Sequence, residues 1–349
     1  MRKYLMKIYL VLLICLVSNR AVGQVGDCIL ANETTLIRPL NVHKGQLRIS
    51  GGYSLLISST RYDAQGNKID LSDEGFTNIG HLVDLEFNYG FTEFLQASMG
   101  INHLQQAERS RGIAIVTTPD DPINFNEIIE RKGWSDIDLT LDFKAPFVTR
   151  QFDLVFSAGR SLPVAAHEPE QPEHQIENSG GFNNITYRFL NKAGQGTGAW
   201  ILGVQSKIRA NKLGFTLEYS HRNFPDAGSN ISWRGSLDND VISYSSSNYD
   251  YQLGDQSRFQ ILSEYQAWSF LNIFLGYQTL RIGEGWTAIT GVRALVEEQK
   301  RSAIELGAEV LVTPRRWIRQ VASFPVGGEN SLNPLILSTR ASYNLFPFN

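Results

Sequence analysis

The sequence predicts an all-β fold, a transmembrane antiparallel β-barrel of an outer membrane with about 14 strands, in a range of about 12 to 16. Three observations predict this class: an N-terminal export signal, apolar residues at every second position, and an alternation of short and long connections. The composition agrees, because 42% apolar residues and a mean hydropathy of −0.19 are too polar for a bundle of membrane helices. A soluble globular protein would share these totals, so the pattern along the chain decides between the classes.

Residues 1–23 are predicted to be an export signal that is removed. Basic residues precede an apolar run, Ile8–Val17, which is too short to span a bilayer. The small residues of Ala21-Val22-Gly23 suit signal peptidase and place the cut before Gln24. The net charge of −3 includes four cations in this signal, so the mature chain carries about −7 and offers no basic face for nucleic acid.

The mature chain is predicted to have a short lead followed by one barrel. Residues 24–45 form a polar lead that lies in the periplasm or enters the lumen, and residues 46–349 form the barrel. Cys28 is the single cysteine left after cleavage, which excludes an internal disulfide. The acidic Asp27 before it disfavours a lipid-anchored cysteine.

Alternation with a period of two identifies the strands. Val83, Leu85 and Phe87 alternate with Asp84 and Glu86, for example, which gives that segment one apolar and one polar face. Many such segments are about ten residues long, the length that a tilted strand needs to cross hydrocarbon. Residues 223–255 either hide a further pair of strands or form one long loop. The predicted strands are 46–57, 80–89, 94–104, 134–144, 151–161, 182–190, 198–209, 213–222, 256–266, 270–280, 286–295, 302–312, 316–324 and 335–345.

Connections of two lengths separate these strands. Short turns at one end and long polar loops at the other are typical of outer-membrane barrels. Aromatic residues at the short turns are predicted to form a girdle at the membrane interface. A soluble β-sandwich is disfavoured, because its strands are usually nearer five or six residues. The predicted short turns are 89–93, 145–150 and 266–270, and the predicted long loops are 59–78, 105–133, 162–181 and 237–255.

Five short motifs in order carry a resemblance to a known family. They are Arg38-Pro39, Lys44-Gly45-Gln46-Leu47, Tyr89-Gly90-Phe91-Thr92-Glu93, Gly133-Trp134-Ser135-Asp136-Ile137 and Ser161-Leu162-Pro163. Their order resembles the outer-membrane transporter family of the MetA pathway of phenol degradation, which is similar in style to FadL-like barrels. The resemblance implies passage of small, often hydrophobic molecules across the outer membrane. Cleavage before a glutamine also resembles exported proteins of Bacteroidetes.

Charged residues on the polar strand faces are predicted to line the barrel interior. An arginine or lysine on the lipid face would cost about 2–4 kcal/mol at the middle of the bilayer. Two interpretations stay open: a charge-lined path that selects solutes, or a salt-bridged plug that fills a narrow lumen. The lumen-facing candidates are Asp84, Glu86, Asp136, Asp138, Asp142, Lys144, Glu218, Arg222, Arg258, Glu264, Arg293, Glu305, Glu309 and Arg340.

No catalytic site, cofactor or metal is predicted. His167 and His174 share a loop with four glutamates, but their spacing fits no metal-ligand motif. Asp120-Asp121 is interpreted as a turn before Pro122 rather than the acidic pair of a protease. Three functions stay open, with outer-membrane lipid and a small solute as the expected partners. They are a passive channel for small, hydrophobic or aromatic solutes, a structural or surface-interaction protein with a plugged lumen, and an outer-membrane hydrolase.

Overall fold

The computed structural model describes residues 42–72, 75–114, 123–146, 151–179, 182–238, 241–289, 292–313, 315–332 and 334–345. The predicted signal, residues 24–41 of the lead, Asp120-Asp121 and residues 346–349 lie outside the described residues. Within the described ranges, no helix is long and apolar enough to cross a membrane.

The described chain consists of β-strands, which are numbered here in chain order. They are β1 (Leu47–Ser58), β2 (Thr60–Tyr62), β3 (Lys68–Asp70), β4 (Thr77–Gly90), β5 (Leu95–Ala114), β6 (Ile123–Trp134), β7 (Ile137–Lys144), β8 (Phe152–Leu162), β9 (Glu173–Ser179), β10 (Phe182–Lys192), β11 (Ala199–Ala210), β12 (Leu213–Asn223), β13 (Gly228–Asp238), β14 (Val241–Gln252), β15 (Gln256–Trp268), β16 (Leu271–Ile282), β17 (Gly285–Ile289), β18 (Val292–Val296), β19 (Gln299–Thr313), β20 (Arg316–Glu329), β21 (Ser331–Leu332) and β22 (Leu335–Leu345).

Twelve antiparallel strands close into a barrel. The first strand, β1, pairs with the last, β22, with Leu47 opposite Leu345, and pairs with β4 on its other side. The predicted all-β, antiparallel outer-membrane barrel is therefore confirmed, with fewer wall strands than the 14 that were counted from the sequence. The wall runs in the order β1, β4, β5, β7, β8, β11, β12, β15, β16, β19, β20 and β22.

Two of the predicted strands do not belong to the barrel wall. The segment 182–190 lies in β10, which pairs with β6 and β9. These strands join the wall because β6 pairs with the second half of β5, residues 103–114. The segment 286–295 is split into β17 and β18, which form a separate four-stranded sheet with β13 and β14. The region 223–255 contains the β13–β14 hairpin of that sheet. Period two identifies a strand but not its partner, so the pattern could not separate wall strands from these loop sheets.

The barrel has its apolar face outside and its polar face inside. Leu141, Leu202 and Leu275 are each more than half exposed, while Asp142 and Asp153, which point the other way from the same wall, are buried. Hydrophobic side chains cover an outer surface that must meet hydrocarbon, and polar side chains must then satisfy one another or water in the interior.

The two ends of the barrel differ as an outer-membrane barrel requires. Both ends of the wall, Leu47 and Leu345, lie at the end with the short connections, which is the periplasmic end by this pattern. The short connections are 91–94, 145–151, 211–212, 269–270 and 314–315, and the opposite, long-loop end carries 59–76, 115–136, 163–198, 224–255, 283–298 and 330–334.

Candidate functional site

A polar cavity of about 730 Å³ lies inside the barrel. Eleven wall strands contribute to its lining, because each presents every second side chain to the interior. The lining contains five cationic side chains and seven carboxylates, so it carries a small acidic excess. The cations are Arg48, Lys207, Arg258, Arg319 and Arg340, and the carboxylates are Asp84, Glu86, Asp142, Glu218, Glu264, Glu305 and Glu309.

The structure places the fourteen predicted lumen residues in several surroundings. Asp138 and Arg222 form an ion pair of 2.5 Å, and Lys144 pairs with Asp153 at 2.9 Å. The prediction for Arg293 is wrong, because it lies on β18 outside the wall and stacks on Trp286. The nine that border the cavity are Asp84, Glu86, Asp142, Glu218, Arg258, Glu264, Glu305, Glu309 and Arg340.

A cluster of buried charges lies at the short-turn end of the cavity. The Asp153 carboxylate, which is 1% exposed, pairs with both Lys144 and Arg209. Lys207 pairs with Glu264 at 3.0 Å, and both side chains are almost fully buried. Sequence reasoning missed Asp153, Lys207 and Arg209, although the alternation of Lys207 and Arg209 with Ile208 was a usable signal.

The end of the predicted lead contacts the same region. The Val42 backbone N–H donates to Gln96 Oε1 at 2.8 Å, and Val42 is 2% exposed. Gln96 Nε2 in turn donates to Asp142 Oδ2 at 2.8 Å, and Ser98 Oγ donates to the same oxygen at 2.6 Å. Residue 42 is thus tied by hydrogen bonds to a cavity-lining carboxylate.

Arg340 joins the two carboxylates of β4 across an intervening strand. Its guanidinium lies 2.7 Å from Asp84 Oδ2 and 2.8 Å from Glu86 Oε2, although β1 lies between β22 and β4. Gly52 of β1 is in register with both Asp84 and Arg340. A Cβ at Gly52 would overlap the Asp84 carboxylate, so the missing side chain makes this bridge possible.

We expect Gly52→Ala to lower the free energy of unfolding by about 1–3 kcal/mol, because it displaces a charged hydrogen-bond acceptor from its donor. Gly51→Ala is the matched control, since a Cβ there makes ordinary contacts with Leu85 Cδ2 at 3.5 Å and with the Asp84 carbonyl oxygen at 3.9 Å. Thermal unfolding of both variants in detergent checks the expectation. Equal midpoints for the two variants would show that the Asp84–Arg340 bridge contributes nothing.

Arginines and aromatic rings form a second feature of the cavity wall. The Arg48 guanidinium lies 5.3 Å from the Trp317 ring, and that of Arg319 lies 4.2 Å from the Phe274 ring. Arg319 is also in register with Arg340 on the neighbouring strand. Stacking on a ring holds each guanidinium at the cavity wall, and Arg48 Nε also donates to Asn344 Oδ1 at 3.2 Å.

Asp136 ties a long loop to the wall at the long-loop end. Its carboxylate accepts the backbone N–H groups of Ala165 at 3.2 Å and of Gln195 at 2.9 Å, and it is 5% exposed. The Tyr251 hydroxyl of β14 donates to the Gln195 carbonyl, which links two loops. Burial raises the pKa of Tyr251, so the hydroxyl keeps its proton for this bond.

We expect Asp136→Asn to loosen the segment 163–198, because an amide replaces one of two acceptor oxygens with a donor. Limited trypsin digestion in detergent should then cut after Lys192 faster than in the parent protein, while the barrel stays intact. Asp226→Asn, in an exposed loop position, is the control. An unchanged cleavage rate would mean that Asp136 does not hold this segment.

The two loop histidines have separate partners. His167 Nε2 lies 3.2 Å from the Ser229 carbonyl oxygen, and His174 Nδ1 lies 3.1 Å from the Tyr244 hydroxyl. Across the part of the chain that the structure describes, no three His, Cys, Asp or Glu side chains are grouped as metal ligands.

This protein is similar to known proteins in fold and not in sequence. The sequence matches no family profile. No curated protein is similar to it in sequence. The crystal structure of an outer membrane channel from Pseudomonas putida F1 is similar with a TM-score of 0.57 and 12% identity, over 92% of this chain and 100% of that one.

Two other solved structures are more distant. The toluene transporter TodX of Pseudomonas putida has a TM-score of 0.45 and 8% identity, over 93% of this chain and 95% of that one. The NanC porin has a TM-score of 0.36 and 12% identity, over 86% of this chain and 100% of that one. At 12% identity, the similarity to the outer membrane channel from Pseudomonas putida F1 shows a shared fold. The similarities to TodX and NanC are too distant to support a conclusion about this protein.

Proposed function

We propose that this protein is a passive outer-membrane channel for small solutes. The observation that carries the proposal is the charge-lined cavity of about 730 Å³ within a closed twelve-stranded wall. Rings of charged side chains in a water-filled barrel attract one sign of ion and guide polar solutes. The similar fold of the Pseudomonas putida outer membrane channel supports the same function.

The lining favours polar solutes over hydrophobic ones. Hydrophobic or aromatic solutes are the class that the family resemblance implies, and the rings of Trp317 and Phe274 are the aromatic surfaces near the cavity that such solutes could contact. These rings are covered by Arg48 and Arg319, and most of the lining is carboxylate, guanidinium, amide or hydroxyl. An apolar solute in the cavity would displace water from these charged side chains, and removing water from a charge raises the free energy. We therefore infer that small polar solutes, cations foremost, pass best.

A plugged structural barrel is the second candidate. The pairs Lys207–Glu264 and Lys144–Asp153, together with Arg209, place charges across the short-turn end of the cavity. If these side chains close the lumen, they stabilise the barrel and the long loops carry the function. Solute flux separates the two candidates.

Liposome swelling tests the channel directly. Proteoliposomes are compared with empty liposomes in arabinose, lysine, glutamate and benzoate, which share a small size and differ in charge and aromatic character. The proposal predicts flux above empty liposomes in the order lysine, arabinose, glutamate, with benzoate no faster than glutamate. Benzoate flux above all the others would favour an aromatic solute, and flux equal to empty liposomes would favour the plugged barrel.

We expect the double change Glu218→Gln and Glu305→Gln to reduce the preference for cations. Both carboxylates line the cavity, which has seven carboxylates and five cations, and their loss leaves five of each. Reversal potentials in a salt gradient across a planar bilayer should move towards zero. Glu284→Gln, at an exposed position outside the wall strands, is the matched control and should leave the potential unchanged. An equal shift in both proteins would contradict the assignment of selectivity to this cavity.

A further inference from the structure

A groove of about 540 Å³ runs across the outer face of the barrel on strands β1, β4, β5, β7, β8 and β11. Strand register aligns one side of it, because Phe87 is opposite Met99, Met99 opposite Leu139, Leu139 opposite Arg160, and Arg160 opposite Trp200. This row descends from the long-loop end at Trp200, the second residue of β11, towards the short-turn end at Phe87.

The groove lies between this row and the next row on the outer face, and its floor is the backbone of Ser98, Thr140 and Gly159. Ala97 and Ala158 lie in the neighbouring row on the outer face, with Leu141 between them in register and Tyr89 opposite Ala97. This second row is low at its two alanines but carries Leu141, which is 55% exposed, so the open strip runs between the two rows rather than along the alanines. The lining is apolar along this strip, and its shape suits one extended hydrocarbon chain.

Arg160 is the charged residue of this lining. It is exposed, and its guanidinium lies 5.1 Å from the Trp200 ring and beside Gly198. Among the residues that the structure describes, Arg160 forms no ion pair. A cation on an outer face costs least near the membrane interface, where it can meet an anionic headgroup.

We propose that this groove binds one lipid A molecule of the outer leaflet, with a phosphate at Arg160 and an acyl chain along the strip between the row of Phe87, Met99 and Leu139 and the row that contains Ala97 and Ala158. The phosphate is placed by charge, because a guanidinium offers paired N–H donors that match phosphate oxygens. The leaflet is placed by topology, because Arg160 lies at the long-loop end, which faces outside the cell. Lipid A is the phosphorylated lipid of that leaflet in an outer membrane, whereas phosphatidylglycerol belongs to the inner one.

Native mass spectrometry in mild detergent tests the proposal. The full-length mature protein is titrated with lipid A, with phosphatidylglycerol and with phosphatidylcholine, and the fraction carrying one lipid is measured. We expect lipid A to bind with one-to-one stoichiometry and more tightly than the other two. Arg160→Gln should weaken lipid A binding about tenfold, the loss expected for one charged hydrogen-bonded contact.

Two further variants separate the headgroup from the chain. Ala158→Leu narrows the strip while keeping the Arg160 guanidinium, and it should also weaken lipid A binding. Its matched control is Ala308→Leu, which adds the same side chain to the lipid-facing side of β19. Arg281→Gln controls for loss of an outward arginine at the same end, since Arg281 is already paired with Glu298.

The outcomes are distinct. Weaker lipid A binding by Arg160→Gln and by Ala158→Leu, with unchanged binding by their two control variants, supports the proposal. The proposal is overturned if Arg281→Gln weakens lipid A binding as much as Arg160→Gln does. It is also overturned if Arg160→Gln leaves lipid A binding unchanged. Tighter binding of phosphatidylglycerol than of lipid A assigns the groove to a different lipid and overturns it as well.

Discussion

Asp153→Asn is expected to lower the free energy of unfolding by about 3–5 kcal/mol, because it leaves two buried cations without their anion. Asp153 is 1% exposed and pairs with Lys144 at 2.9 Å and with Arg209. The amide keeps the shape of the carboxylate but not its charge, so the effect reports the electrostatic contribution. Urea-induced unfolding in lipid vesicles, followed by tryptophan fluorescence, measures the change.

The control for Asp153 is Glu298, a more exposed carboxylate that also pairs with two cations, Arg281 and Lys300. Glu298→Gln should change the free energy of unfolding far less than Asp153→Asn does, since solvent screens these contacts. If Asp153→Asn costs no more than Glu298→Gln, then water reaches Lys144 and Arg209, and the short-turn end of the cavity is more open than the structure shows.

Leu306→Arg has the second large expected effect, a cost of about 2–4 kcal/mol for a cation on the lipid face near mid-bilayer. Leu306 is 47% exposed on the outer face and lies opposite Leu275, which is 54% exposed. Leu306→Val keeps the position apolar and should fold into vesicles as well as the parent. The urea midpoint in vesicles compares the three proteins.

An inward arginine gives the contrasting result. Thr140 lines the cavity two residues from Asp142, so Thr140→Arg places its charge in a polar interior beside a carboxylate. This variant should cost less than Leu306→Arg. The reverse order of costs would mean that the inner and outer faces of the wall have been exchanged.

The alternating pattern was sufficient to predict the wall and its two faces. In a segment such as Val83 to Phe87, the alternation shows which side chains face lipid, because one face of a barrel strand meets lipid and the other meets the polar interior. The same pattern was insufficient at 182–190 and 286–295, where strands of similar alternation pair in sheets beyond the wall. Arg293 was misplaced for that reason.

The charge network of the interior depends on register, which one sequence does not display. Arg340 and Asp84 are more than 250 positions apart, and they meet only because Gly52 opens the strand between them. Asp153, Lys207 and Arg209 lie on neighbouring strands, and their contacts follow from the pairing of β8 with β11. Local alternation identifies inward positions but cannot say which charges touch.

Single-channel recording in a planar bilayer tests the central claim most directly. The account predicts discrete conductance steps from purified mature protein, with a reversal potential that shows a preference for cations. Heat-modifiable mobility on a gel should establish, on the same sample, that the barrel is folded. A folded barrel that inserts into the bilayer and gives no steps would contradict the account and leave the plugged structural barrel.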